Sequence, residues 1–252
     1  NYGAGYDHID IKTALQRGII VTNTPSVLTT DTADMTMALI LAIPRKLREG
    51  HEEMQSGNWK GWSPSAMIGM RITGKKLGIL GMGRIGQAIA KRAKAFDLDI
   101  NYHNRRRLHE NIEKSLSATY WEDLEEMLAT VDILVVSASL NQSSFYLLNS
   151  KYLGIMKPTA YLVNISRGEI IDQRALVRQL KDGRLGGAGL DVYDSEEVIG
   201  SDFKSLKNVF LLPHMGSSTL EGRIEMGEKV IINIKTYLDG HRPPDQIVPS
   251  ML

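Results

Sequence analysis

Residues 75–86 read Lys75-Lys76-Leu77-Gly78-Ile79-Leu80-Gly81-Met82-Gly83-Arg84-Ile85-Gly86, and the fold is decided in this stretch. Leu77, Ile79 and Leu80 form a short apolar run. Gly81, Gly83 and Gly86 follow with the spacing G-x-G-x-x-G. Ile85, Ala88, Ile89, Ala93 and Phe96 then recur at helical spacing. Strand, tight turn and helix in that order turn a weak glycine pattern into a dinucleotide-binding signal. Gly81 lets the chain turn, Gly83 lets the backbone approach a pyrophosphate, and Gly86 lets the helix pack close to the strand. The free N–H groups of the new helix then face the phosphates.

Working outward, strand and helix alternate. Leu98–His103, Asp132–Ser137, Ala160–Ile165, Gly189–Val192 and Val209–Leu212 read as strands; Trp121–Ala129, Ser150–Met156 and Asp172–Lys181 read as helices. Short apolar runs with helices between them predict an α/β fold, a Rossmann-type doubly wound parallel sheet covered on both faces. Upstream, residues 1–28 read as a loop, a short helix and a strand at Gly18–Val21. A helix starting at Thr29–Asp34 runs to Ile43 and is apolar on nearly every face, so it is expected to be buried, with a subunit contact as one cover. Pro44 is expected to kink it. Trp59 and Trp62 lie in a polar loop and are expected to anchor it onto the body. Residues 217–238 read as a long helix leaving the sheet.

The chain has 252 residues, enough for one large or two smaller domains, and its net charge of +1 argues against nucleic-acid or membrane surfaces as partners. The longest mainly apolar run, Met35–Ile43, is too short to span a bilayer. With no cysteine, disulfides and thiolate metal sites are excluded, no metal is expected, and a reducing, cytoplasmic setting fits. The chain opens NYGAGYDHID without an initiator Met and in mid-element, so the natural protein is expected to be longer.

Strand two ends at Asn104, where a nucleotide fold usually carries an acid for the adenosine ribose. Asn does not repel a 2′-phosphate, and Arg105 and Arg106 can bind one; NADPH is expected over NADH. Ligands of open α/β sheets lie beyond the carboxyl ends of the strands. There the chain offers Ser137 and Ser139, Ser166-Arg167-Gly168, Asp191 with Glu196 close behind, and Pro213-His214-Met215-Gly216. Singly, Arg167 reads as a surface ion-pair residue, Glu196 as a loop charge and His214 as a loop histidine. At one shared edge they read as a reaction site.

Through GAGYDHID, LGILGMGRIGQAIA, NISRGEIID, GGAGLDVYDSEE and LLPHMGSST, spread over residues 3–219, the chain resembles the D-isomer-specific 2-hydroxyacid dehydrogenases, glyoxylate/hydroxypyruvate reductase branch. The resemblance implies reduction of a small 2-keto acid to the D-2-hydroxy acid, with NADP (NAD possible) as cofactor, in a homodimer. By the same resemblance Arg167 binds the substrate carboxylate, His214 protonates the carbonyl oxygen, and Glu196 is the carboxylate partner that favours its imidazolium. Asp191 orients the nicotinamide. Ala4 and Gly5 hold the substrate carboxylate through backbone N–H groups. Arg84, Ile85, Ser139, Ile165, Ser166 and Gly216 match cofactor contacts. The implied domains are 1–28, part of a flavodoxin-like substrate domain; 29–216, the dinucleotide-binding domain; and 217–252, a helix returning to the substrate domain. The hinges then fall near Leu28 and Gly216–Ser218. Two departures stand out: Glu197 replaces a usual Pro, and no Pro lies near Gln142. A dinucleotide-sensing corepressor-like protein, a formate dehydrogenase (which has Gln at the place of Glu196) and an NADH-linked D-glycerate or phosphoglycerate-type dehydrogenase are the alternatives.

Overall fold

Consecutive apolar residues need two covered faces, and Ile133–Val136 has them. Ile133 and Val135 enter one buried cluster with Leu77, Ile79, Ile100 and Val163; Leu134 and Val136 enter the other with Leu80, Leu162, Ala188 and Leu190. Side chains alternating across one strand thus feed two cores, which is why the run shows no polar interruption.

The computed structural model describes residues 1–194 and 201–249, without the side chains of residues 201 and 202. In chain order the elements are α1 (Ile11–Gln16), α2 (Thr29–Ala42), α3 (Leu47–Ser56), β1 (Lys76–Leu80), α4 (Arg84–Lys94), β2 (Asp99–His103), α5 (Glu110–Leu116), β3 (Ala118–Tyr120), α6 (Leu124–Thr130), β4 (Ile133–Val136), α7 (Ser150–Ile155), β5 (Tyr161–Asn164), α8 (Gln173–Lys181), β6 (Gly187–Leu190), α9 (Ser201–Lys204), β7 (Val209–Leu211) and α10 (Leu220–Leu238). The strands form one sheet in the order β3-β2-β1-β4-β5-β6-β7, and every pairing is parallel. Ile79 is in register with Tyr102 on one side and Val135 on the other. The chain order reverses between β1 and β4, so the crevice that binds ligands in such sheets opens beyond Leu80 and Val136.

The chain divides into two units, residues 33–216 and residues 1–32 with 217–252. The larger holds the sheet. Its α2 segment is buried through Met37, Leu39 and Ile40, and Leu39 together with Ile43, just past the helix, packs where Gly189 of β6 has no side chain. The cover for this apolar helix therefore comes from the sheet. α2 ends at Ala42 instead of kinking at Pro44, whose carbonyl accepts from Met70 N–H at 2.8 Å, and α3 starts afresh at Leu47. Trp59 and Trp62 do not anchor their loop: they are 55% and 84% exposed.

In the smaller unit, Thr219 caps α10; its hydroxyl accepts from Gly222 N–H at 2.9 Å and donates to Asp31 at 2.7 Å. Gly18–Val21 is not a strand. Ile19 and Ile20 are exposed, and among the described residues the pairing here amounts to a bridge between Thr22 and Gln246 and a bond from Ile247 N–H to the Val21 carbonyl at 2.9 Å. The expected helix at Trp121 begins later, at Leu124, because the Asp123 carboxylate accepts from Glu125 N–H at 2.7 Å and so fixes the N-cap.

Candidate active site

The glycine loop is held by sterics and by hydrogen bonds with neighbouring strand ends. Gly81 sits at φ +99°, and a Cβ there would lie 2.5 Å from Ala138 N. A Cβ on Gly86 would lie 2.4 Å from the Gly81 carbonyl oxygen. Strand, turn and helix therefore approach each other as closely as backbone permits. The Gly81 carbonyl accepts from the Ser137 hydroxyl at 2.6 Å, tying the loop to the exit of β4. Gly83, the N-cap of α4, has no atom beyond its immediate chain neighbours within 4 Å of where a Cβ would be. The first backbone bond into its carbonyl comes from Gln87, which leaves the N–H groups of Arg84, Ile85 and Gly86 facing outward at the helix start. This cradle fits a dinucleotide pyrophosphate on the chemistry of its donors. Arg84 is exposed and Ile85 packs against the core.

Asn104 is tied into the same loop. Its Oδ1 accepts from Met82 N–H at 2.7 Å, so its amide NH2 is turned away from the loop. Arg105 and Arg106 are exposed. Arg107 is not their equivalent. Its guanidinium grips Glu113 through Nε–H···Oε1 at 2.9 Å and Nη2–H···Oε2 at 2.8 Å, and it lies 5.6 Å from the Tyr120 ring centre. Tyr102 hydroxyl donates to Glu113 at 2.6 Å and accepts from Leu108 N–H at 3.0 Å; Tyr120 hydroxyl donates to the Asn104 carbonyl at 3.3 Å. The loop is pinned at both ends, and Arg105 and Arg106 form its apex. Bonds from Arg107, then Tyr102, hold the Glu113 carboxyl down at about 2. Burial, then Glu113, pushes the Tyr102 phenol up to about 12.

At the end of β5, Ile165 is buried and Asn164 is 1% exposed. Asn164 Oδ1 accepts from Ser166 N–H at 3.1 Å and its NH2 donates to the Arg167 carbonyl at 2.9 Å. A buried amide thus shapes the turn that presents Arg167, whose guanidinium also donates to the Ser166 carbonyl at 2.8 Å. Next to it, Gly168 presses on the backbone of Tyr193 and Asp194, where a Cβ would come within 2.2 Å of Asp194 N.

The β6 and β7 ends are joined by Asp191, 1% exposed. Its two oxygens accept from Met215 N–H at 2.8 Å and Gly216 N–H at 2.7 Å. His214, between β7 and these amides, is exposed at φ +54°. Tyr193 adds a second brace, its one hydroxyl proton shared between the Leu190 and Leu212 carbonyls at 3.1 and 2.7 Å. Ser139 is exposed, with its carbonyl accepting from Ser144 at 2.8 Å. Glu196 and Glu197 lie outside the described residues. Ala4 and Gly5 belong to the smaller unit.

The larger unit therefore brings Gly81, Gly83, Gly86, Asn104, Ser139, Ser166, Arg167, Asp191, His214 and Gly216 to the carboxyl ends of β1, β2, β4, β5, β6 and β7. Asn164, Glu113 and the bracing function of Asp191 went unread in the sequence. Asn164, the last residue of an apolar strand, carried the one available signal: a polar side chain where the run should end. A depression of about 810 Å³ beside β2 and β3, lined by His103, Trp121, Leu147 and Tyr152, contains none of the expected residues. Among the described residues no cluster suits a metal ion.

The family model for the D-isomer specific 2-hydroxyacid dehydrogenase, NAD binding domain, matches residues 37–216. A glyoxylate reductase of Pyrococcus furiosus is 46% identical over 248 residues, covering 97% of this chain and 73% of that protein. The crystal structure of an NADPH-dependent glyoxylate/hydroxypyruvate reductase from Sinorhizobium meliloti, in complex with NADP and malonate, superposes with a TM-score of 0.91 at 36% identity, covering 98% of this chain and 76% of that one. A glyoxylate reductase from Paecilomyes thermophila gives a TM-score of 0.91 at 35% identity, covering 100% and 74%.

Proposed function

This chain belongs to the D-isomer specific 2-hydroxyacid dehydrogenase family, NAD(P)-dependent oxidoreductases acting on CH–OH donors, and from that premise we propose that it reduces glyoxylate or hydroxypyruvate, with NADPH preferred. What supports this reading is the placement of Arg167 after β5, Asp191 after β6 and the Asp191-braced His214 loop after β7, in a sheet whose β1 end carries a glycine cradle for the dinucleotide.

The bound dinucleotide supplies the hydride. Arg167 holds the substrate carboxylate with a planar, permanently charged fork and polarises the keto group. His214 delivers the proton to the carbonyl oxygen, with Glu196 assigned as its partner from sequence. Asp191 fixes the backbone on which the imidazole rides and is assigned from sequence to orient the nicotinamide. Backbone N–H groups of Ala4 and Gly5, in the smaller unit, are assigned from sequence to bind the substrate carboxylate.

The NADPH preference rests on Asn104. With Oδ1 committed to Met82 N–H, its outward group only donates. A 2′-phosphate offers only acceptors, whereas a ribose hydroxyl is best met by a carboxylate. Two exposed cations, Arg105 and Arg106, add charge at the same tip. For self-association, the exposed Trp59 and Trp62 loop is the candidate homodimer surface, since Met37, Leu39, Ile40 and Ile43 of the Met35–Ile43 segment are buried in its own core.

A steady-state assay with glyoxylate and hydroxypyruvate against both dinucleotides tests the proposal. Arg105→Ala with Arg106→Ala is expected to raise KM for NADPH far more than for NADH, and Asn104→Asp to shift preference toward NADH. Tight dinucleotide binding without turnover of any 2-keto acid would instead favour a sensing protein.

A further inference from the structure

Peptide bonds are planar, and no cis peptide occurs among the described residues, so each N–H points opposite to the C=O that shares its plane. Whatever holds a carbonyl therefore aims the next residue's N–H. In the smaller unit each carbonyl of the loop Gly3-Ala4-Gly5 is held by a donor. Gly3 accepts from Thr24 N–H at 2.9 Å and from Asn1 Nδ2 at 3.1 Å. Gly5 accepts from Asn1 Nδ2 at 2.7 Å. Ala4 accepts from Asn23 Nδ2 at 2.7 Å. The N–H groups of Ala4 and Gly5 have no acceptor among the described residues.

The Ala4–Gly5 peptide plane thus hangs on one side-chain amide. Asn23 is itself fixed: its N–H donates to the Asp245 carbonyl at 3.3 Å, and the adjoining Thr22 bridges Gln246. We propose that Asn23 is a positioning residue for substrate binding, turning the Gly5 N–H toward the 2-keto acid carboxylate by holding the Ala4 carbonyl. The inference rests on the reading above, in which this loop receives the carboxylate, and adds the residue that aims it.

The test compares Asn23→Asp and Asn23→Ala with the unaltered chain. Asp keeps the shape of Asn but offers the Ala4 carbonyl only acceptors, so the peptide plane is released without a cavity. One backbone bond to a carboxylate is charge-assisted, and its loss is expected to weaken binding roughly ten- to hundredfold. KM for glyoxylate and the dissociation constant of oxalate, which accepts no hydride, are both expected to rise in this way in each variant. The dissociation constant for NADPH and the melting temperature are expected to stay put. Unchanged oxalate affinity in either folded variant overturns the proposal, as does failure of the unaltered chain to bind oxalate. Oxalate binding that weakens in both variants supports it even where glyoxylate is not turned over, an outcome that counts against the reductase reading alone.

Discussion

The carboxylate of Asp191 accepts the backbone N–H of Met215 at 2.8 Å, one residue past His214, while its second oxygen accepts from Gly216 at 2.7 Å. A buried acid at the end of β6 therefore sets the course of the loop leaving β7. Asp191→Asn offers one acceptor oxygen to two amides, leaving one N–H facing an NH2 group. An orphaned buried donor costs about 1–3 kcal/mol. Urea unfolding of the variant is expected to show a loss of that size, with turnover lowered alongside. An unshifted midpoint would remove the brace.

His214 sits on that loop in the left-handed region, at φ +54°. His214→Asn suits the position, because Asn tolerates this backbone better than Ala. Removing a general acid lowers turnover by about 10²–10⁴. The expected result is a drop in kcat of that order for glyoxylate with dinucleotide affinity retained. Equal turnover would take the imidazole out of the mechanism.

The glycines at 81 and 83 separate folding from binding. Gly81→Ala forces a side chain into φ +99° and onto Ala138 N, and is expected to lower the melting temperature sharply. Gly83→Ala meets nothing beyond its immediate chain neighbours within 4 Å and sits at φ −77°, so the protein should fold as before. The added methyl nevertheless occupies the approach to the pyrophosphate, and dinucleotide titration should show a loss on the order of tenfold or more. Normal binding by the Gly83 variant would place the phosphates elsewhere.

These contrasts show what a sequence can display. Gly81, Gly83 and Gly86 are legible because their constraint is local: a turn, an approach and a close packing within six residues of chain. The two-faced burial of β4 is legible for the same reason, as is the arrival of Arg167 and His214 at strand ends. Partners brought together by tertiary structure leave no such mark. Asp191 meets amides of Met215 and Gly216, and backbone N–H groups look alike in every sequence. In His103-Asn104-Arg105-Arg106-Arg107 nothing distinguishes the third arginine. Glu113 on α5 distinguishes it, and that helix was too short and too polar to read. The edge strand β3, three residues long, was lost likewise.

Glu113 supplies the pH test. Its carboxyl titrates at about 2 in the folded chain against an ordinary value of 4.5, because Arg107 and then Tyr102 bond its ionised form. A lowered folded value means that the unfolded chain binds more protons between those limits, so stability rises with pH across that window. The contribution is complete above about pH 4.5 and is lost as pH falls through about 2. Tyr102 has the opposite sign: raised to about 12, it stabilises the fold below its ordinary value of 10.0 and ceases to do so as pH passes 12. Glu113→Gln removes the ionisable carboxyl and leaves the burial of Tyr102 in place. Denaturation measured from pH 2 to 7 is therefore expected to give a shallower acid limb in the variant and lower stability at neutrality. Parallel limbs in the two proteins would mean that Arg107 does not hold the loop, and that Arg105 and Arg106 owe their place at its apex to something else.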